Sequence, residues 1–375
     1  MDRRSFVQTL GAGTIGASAI VPAHAGNKES GPAAPRKVQM RLGTQRPDHD
    51  ESGNVLPDEL LQFCARHGVE GICGFPTITE DRRWELDELH RMQDNCHAAG
   101  LKLELLGGAL SSGTLYGRFP NILLGKDPQR NREIDLFCDM VRTAAKAEIP
   151  CVKYNLSILK TARTKPTPGR GGSEYSTWVY AKAPKLPLTR AGEVPGDLFW
   201  ERIKYFLERV VPVATEHRIR LALHPHDPGM PLQGYRGVDR VLGTVTGMKR
   251  FVEIAESPYH GLNLCIGSTA EMLHDPAREI VDVIRHFGER NKIFNIHFRN
   301  IRGGRDDFME VYPDEGDMNM VEVMRALRDV DYPYLVMPDH MPHHHDDPRG
   351  RQAFAYGFGY IKALIQAVGD EAQEA

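Results

Sequence analysis

Short apolar runs bounded by turn residues recur at regular intervals along the chain. They are Val38–Gly43, Val69–Phe75, Leu101–Gly107, Pro150–Leu156, Ile219–His224, Gly261–Gly267, Ile293–Phe298 and Tyr334–Asp339. Several are apolar almost throughout, as strands covered on both faces must be. Between them lie segments of helical periodicity. Asp58–His67 sets Leu60, Leu61, Phe63 and Cys64 on one side, and Asp135–Ala147, Phe199–His217, Pro276–Phe287 and Met320–Val330 are patterned alike. Strand–helix alternation repeated eight times predicts an α/β chain folded as a single (β/α)8 TIM barrel over residues 37–368, followed by a short disordered tail at 369–375. A doubly wound sheet with a dinucleotide site loses its main support, because no GxGxxG follows the first run.

A chain of 375 residues is long enough for one large barrel. Its net charge of −3, with no basic stripe, argues against a nucleic-acid partner. No apolar run in the mature chain is long enough to span a bilayer. Six cysteines are scattered with no CxxC pair, which suits buried thiols better than a disulfide framework.

Residues 1–25 read as a targeting segment. Arg3-Arg4 precedes a Gly/Ala-rich apolar stretch, and Ala23-His24-Ala25 has the small-x-small form of a cleavage site. The arginine pair resembles a twin-arginine export signal, which implies the twin-arginine export machinery as a partner and a periplasmic or exported mature protein. Such proteins usually cross the membrane folded, so a metal could be loaded before export. Residues 26–36, rich in Gly, Pro and Ala, are expected to form a flexible tether. Thr161–Val194 follows the fourth run and reads as a long loop or lid on the face where barrels build their sites.

The ends of the last four runs carry the chemistry. LALHPHD ends at His224, LNLCIGS carries Cys265, IFNIHFRN carries His297 and LVMPDH carries Asp339. Side chains at the C-terminal ends of barrel strands converge on one pocket. Two imidazoles, a carboxylate and a thiol at the same height predict a divalent metal site. Zn²⁺ would accept the set tetrahedrally; Mn²⁺ or Fe²⁺ would accept the imidazoles and carboxylate and keep positions open for substrate oxygens. His343-His344-His345 with Asp346-Asp347 reads instead as a solvated loop, since three adjacent side chains cannot all face one ion.

The segments LALHPHDPGMPLQGYRGVDRVLGT, LNLCIGSTAEM, NIHFRNIRGG, DEGDMNMVEVMRAL and MPDHMP resemble those of the mannonate dehydratase family, a xylose-isomerase-like TIM-barrel group. The resemblance covers most of residues 215–365 and thins earlier to Tyr154-Asn155 and a match around Arg163-Thr164. It implies Mn²⁺ or Fe²⁺, the ligands His224, Cys265, His297 and Asp339, and dehydration of D-mannonate to 2-keto-3-deoxy-D-gluconate. There are departures. His226 stands where the family usually has Asp, Met309 where it has His, and Ala355, with Tyr356 next to it, where it has Tyr. Much of the family's insertion between strands 4 and 5 is also absent.

Dehydration requires a proton removed beside the carboxylate and a protonated departing hydroxyl. His340 or His226 is expected in one of these roles, since imidazole titrates near neutrality, and Tyr356 in the other. Arg299 is expected to clamp the substrate carboxylate. Lys153, Tyr154, Asn155 and Glu310 are expected to bind substrate. Two alternatives stay open: a metal-dependent sugar or sugar-acid isomerase or epimerase, and a non-catalytic exported sugar-acid-binding protein. Assembly into a homo-oligomer also stays open.

Overall fold

The computed structural model describes residues 38–45, 56–230 and 234–374. The expected export signal and tether lie outside these residues. Among the described residues no helix is long and apolar enough to cross a membrane.

Eight parallel strands close into a barrel. In chain order they are Arg41–Gln45, Gly71–Gly74, Lys102–Leu106, Cys151–Tyr154, Arg220–Leu223, His260–Cys265, Ile293–His297 and Leu335–Met337. Each pairs with its neighbours in sequence, and the eighth closes on the first through Arg41 opposite Leu335 and Leu42 opposite Val336. All eight apolar runs thus become barrel strands. Helices pack outside. Phe137, Phe206 and the strand residue Tyr154 pack with tilted rings whose centroids lie 5.3–5.9 Å apart. Burying each of the two phenylalanine side chains stabilises the fold by about 1.5–3 kcal/mol.

The segment after the fourth strand is not an unstructured loop. Its Thr177–Val179 pairs with Asp307–Val311, which pairs with Asn300–Gly304. The lid and the hairpin after the seventh strand therefore form one three-stranded sheet over the mouth of the barrel.

The chain end differs from expectation. A helix runs from Arg351 to Glu374, so residues 369–374 are helical and not a disordered tail. Glu371 accepts from Arg325 at 2.6 Å and from Arg328 at 2.8 Å, which ties the last turns to the helix Met320–Asp329.

Candidate metal centre and cavity

Alternation along a strand decides which side chains face the barrel axis. On the fourth strand Cys151 belongs to the interior cluster, while Val152 and Tyr154 pack outward, so Lys153 continues the inward series. Ala222 sets the same parity for His224, and Leu335 and Met337 set it for Asp339. On the sixth strand Leu262 and Leu264 join the outer core, which turns Cys265 inward. His297 ends the seventh strand directly opposite Cys265.

One ligand-capable atom from each of His224, Cys265, His297 and Asp339 lies within 4.8 Å of the others. All four side chains are buried. His224 Nδ1 donates to the carbonyl of Pro225 at 2.7 Å, which leaves Nε2 with the lone pair. Burial and His297 push the His224 imidazole down to about 3, and burial pushes His297 down to about 4. Both rings are therefore neutral near pH 7, the form that binds metals. His297 Nε2 has no hydrogen-bond partner among the described residues, and its Nδ1 lies 3.1 Å from Asp339 Oδ1. Burial disfavours the Asp339 carboxylate, but His340, His297 and Arg299 hold it well below the usual range. Burial and Asp339 push the Cys265 thiol up to about 12, and its Sγ lies 3.4 Å from Asp339 Oδ2. An arriving cation would displace that proton. Two neutral imidazoles, one ionised carboxylate and one thiol, with a buried ring nitrogen unpartnered, fit a divalent ion.

The quartet opens on a cavity of about 650 Å³. His224, His297 and Asp339 line it, with Gln45, Lys153, Asn155 and His340.

Residues 185–374 match the family model for D-mannonate dehydratase (UxuA). A mannonate dehydratase of Endomicrobium trichonymphae is 35% identical over 331 residues, spanning 78% of this chain and 86% of that protein. The chain belongs to the D-mannonate dehydratase family. Among solved structures, the mannonate dehydratase of Streptococcus suis serotype 2 superposes with a TM-score of 0.77 at 22% identity, covering 89% of this chain and 95% of that one. A xylose isomerase domain protein of Planctomyces limnophilus superposes with a TM-score of 0.56 at 12% identity, covering 89% and 99%. The fold is the xylose-isomerase-like barrel, and membership of this dehydratase family makes the chain an enzyme.

Against that family background, the structure separates the remaining sequence candidates. His340 lies on the cavity wall with half its side-chain surface open. Its Nδ1 donates to Glu310 Oε2 at 2.8 Å. Asp339 above all, with help from Glu310 and against burial, holds the ring up to about 9. Lys153 and Asn155 also line the cavity.

Five candidates sit or pair otherwise than expected. Tyr154, next to Lys153, has opposite parity and is buried among Phe137 and Phe206. His226 is buried against Phe199, with ring centroids 5.5 Å apart, and its Nε2 donates to the Leu156 carbonyl at 2.9 Å. Burial pushes its pKa well below the ordinary value, so it is a packed neutral ring and not a proton carrier of the cavity. Tyr356 lies on the C-terminal helix, edge-on to Tyr312 at 5.5 Å, and its hydroxyl interacts with Asp314 and Arg170. Arg299 is fully buried, with its guanidinium already placed among carboxylates: Glu310 at 2.6 Å, Glu271 at 2.9 Å, Asp339 at 3.2 Å and Asp227 at 3.3 Å. It has no face left for a substrate carboxylate.

Glu310 likewise binds protein groups rather than hydroxyls. Arg163, Arg299 and His340 surround it, and they hold its carboxyl down to about 2 against the effect of burial. Arg163 comes from the lid and reaches Asp227 Oδ1 at 2.6 Å. Burial and Asp227 push Glu271 up to about 8, although Arg299 lies beside it. The histidine tract does not converge: His344 bonds the Tyr312 hydroxyl at 2.7 Å, while His345 is exposed.

Asp227, Glu271 and Gln45 were absent from the sequence candidates. Asp227 stood in view within the HPHD run. Gln45 reaches Asp339 across 294 residues of chain, which no local pattern reports.

Proposed function

We propose that this enzyme removes water from D-mannonate to give 2-keto-3-deoxy-D-gluconate. The observation that carries this reading is the convergence of His224, Cys265, His297 and Asp339, three of which line a cavity that also presents Lys153 and His340. A divalent ion held by the quartet, Mn²⁺ or Fe²⁺ with Zn²⁺ also accommodated, would act as a Lewis acid toward the carboxylate end of the substrate. The chain's own groups do the rest. His340, held through Nδ1 by Glu310, moves a proton at the departing C3 hydroxyl. Lys153 and Asn155 bind and orient the sugar acid. The C2–H bond breaks with its proton passing to solvent, and the C3–O bond breaks as His340 protonates the hydroxyl, so water leaves and a C2=C3 enol forms; ketonisation, with the C2 hydroxyl proton lost and a solvent proton gained at C3, yields the keto-deoxy acid.

The same reading includes export. Arg3-Arg4 and Ala23-His24-Ala25 support passage through the twin-arginine machinery into the periplasm or beyond.

The test is anaerobic purification with metal analysis, followed by incubation with D-mannonate and a panel of epimeric hexonates. A keto-deoxy acid formed in step with loss of D-mannonate is expected. An isomeric hexonate formed without loss of water would replace this reading with epimerisation.

A further inference from the structure

The cavity holds a bridge that neither sequence motifs nor the metal quartet accounts for. Gln45, the last residue of the first barrel strand, donates from Nε2 to Asp339 Oδ1 at 3.1 Å. Its Oε1 accepts from Lys153 Nζ. Asp339 is an acceptor and Lys153 a donor, so the side chain between them must offer both functions at once, which an amide does. A glutamate would repel Asp339, and an arginine or lysine would repel Lys153.

The second observation concerns what Lys153 lacks. Among the described residues no carboxylate pairs with its ammonium; its contacts are the Gln45 amide and the Phe75 ring, 5.7 Å away. Lys153 is nonetheless largely buried and lines the cavity beside the quartet, where its charge is felt by both His224 and His297. A buried cation without an internal counter-charge is costly unless something supplies one. Of the other cations near the quartet, Arg299 is buried among protein carboxylates and His340 already faces Glu310 and Asp339.

We propose that Lys153 is the carboxylate-receiving cation of the site and that Gln45 is its positioning residue, so that the pair selects a sugar acid over the corresponding neutral sugar. The proposal rests on the cavity being a sugar-acid site. The amide fixes the ammonium relative to Asp339, so an entering carboxylate meets Lys153 and the metal quartet in one registered arrangement. Gln45 contributes no proton and touches no reacting atom.

The test compares full-length, metal-loaded wild type with Gln45→Leu, Gln45→Glu and Lys153→Met. Calorimetry would measure binding of 3-deoxy-D-mannonate, which lacks the hydroxyl to be expelled, and of its uncharged hexonamide. Metal content and D-mannonate turnover would be measured in parallel. Wild type should prefer the acid over the amide, and Lys153→Met should reduce that preference by about 10- to 100-fold. Gln45→Leu should reduce it in the same direction by a smaller factor, raise KM more than it lowers kcat, and keep its metal. Gln45→Glu, which places a carboxylate on Lys153, should bind the acid more weakly than Gln45→Leu does. Equal affinity of wild type for acid and amide would overturn the proposal. So would a Gln45→Leu variant that sheds its metal while keeping the preference, since Gln45 would then only support Asp339. If wild type prefers the acid but forms no keto-deoxy product, the dehydratase reading fails while this one stands.

Discussion

Two buried clusters of acids and ligand-type side chains sit side by side at the barrel mouth. In His224, Cys265, His297 and Asp339, and again in Asp227, Glu271 and Glu310, ligand atoms lie within 4.8 Å of one another. By proximity alone both could hold a cation. They differ in where the positive charge comes from. The carboxylate trio is filled by the chain itself, with Arg299 and Arg163 inserted among its oxygens. The quartet receives the edge of Arg299 and, at 3.6 Å from Asp339, the His340 ring, both on its acidic side, and it keeps a buried ring nitrogen of His297 without a partner among the described residues. A cluster of ligand atoms is a metal site only where the protein has not already provided the cation.

The sharpest way to break this contrast is to remove a ligand from the quartet. His297→Ala and Asp339→Asn should each lose bound metal and reduce turnover by at least about a thousandfold, with a folded barrel retained. Metal analysis and circular dichroism on the same samples would check this. Full metal-dependent turnover in either variant would mean that the ion sits elsewhere.

The trio should fail differently. Arg299→Met leaves Glu271, Glu310 and Asp227 buried with Arg163 among them and His340 on Glu310 alone. Unfolding free energy should fall by about 3–5 kcal/mol, because stranding buried charges is far costlier than losing an exposed pair. Denaturant melts of the metal-free protein isolate this effect from metal binding. A loss below about 1 kcal/mol would show that the trio is not held together by its arginines.

Sequence reading reached these clusters unequally. The eight strands were legible because strands covered on both faces must be apolar throughout, and the quartet because its members end consecutive strands. The period of two along a strand also carried more than was read from it: it separates Lys153 from Tyr154, which cannot both face one ligand. His226 was misplaced because its imidazole suggests chemistry, whereas its surroundings make it packing against Phe199. The meeting of the trio was illegible. Arg163 returns from the lid and Glu310 from a hairpin that pairs with that same lid, so their meeting depends on a sheet that forms only in the folded chain. The C-terminal helix was underestimated for a related reason, since its last turns depend on Glu371 meeting Arg325 and Arg328.

The smallest predicted effect tests whether Glu310 is ionised inside the trio. Its folded-state carboxyl is held down to about 2, against an ordinary value of 4.5. A depressed acid stabilises the fold above its unfolded-state value and loses that contribution as pH falls through the folded one. Glu310→Gln should therefore be less stable than wild type by about 1–3 kcal/mol at pH 7. The gap should hold steady down to about pH 4.5 and then narrow by about 1 kcal/mol per pH unit. Denaturant melts of metal-free protein between pH 7 and pH 3.5 cover the informative range. Glu271 provides the opposite sign within the same cluster, because its folded value is pushed up to about 8. Its contribution is complete below its unfolded value and fades as pH rises toward 8. A Glu310→Gln gap that stayed constant below pH 4.5 would mean that Glu310 carries its proton in the folded state, and His340 would then hang on a neutral acceptor.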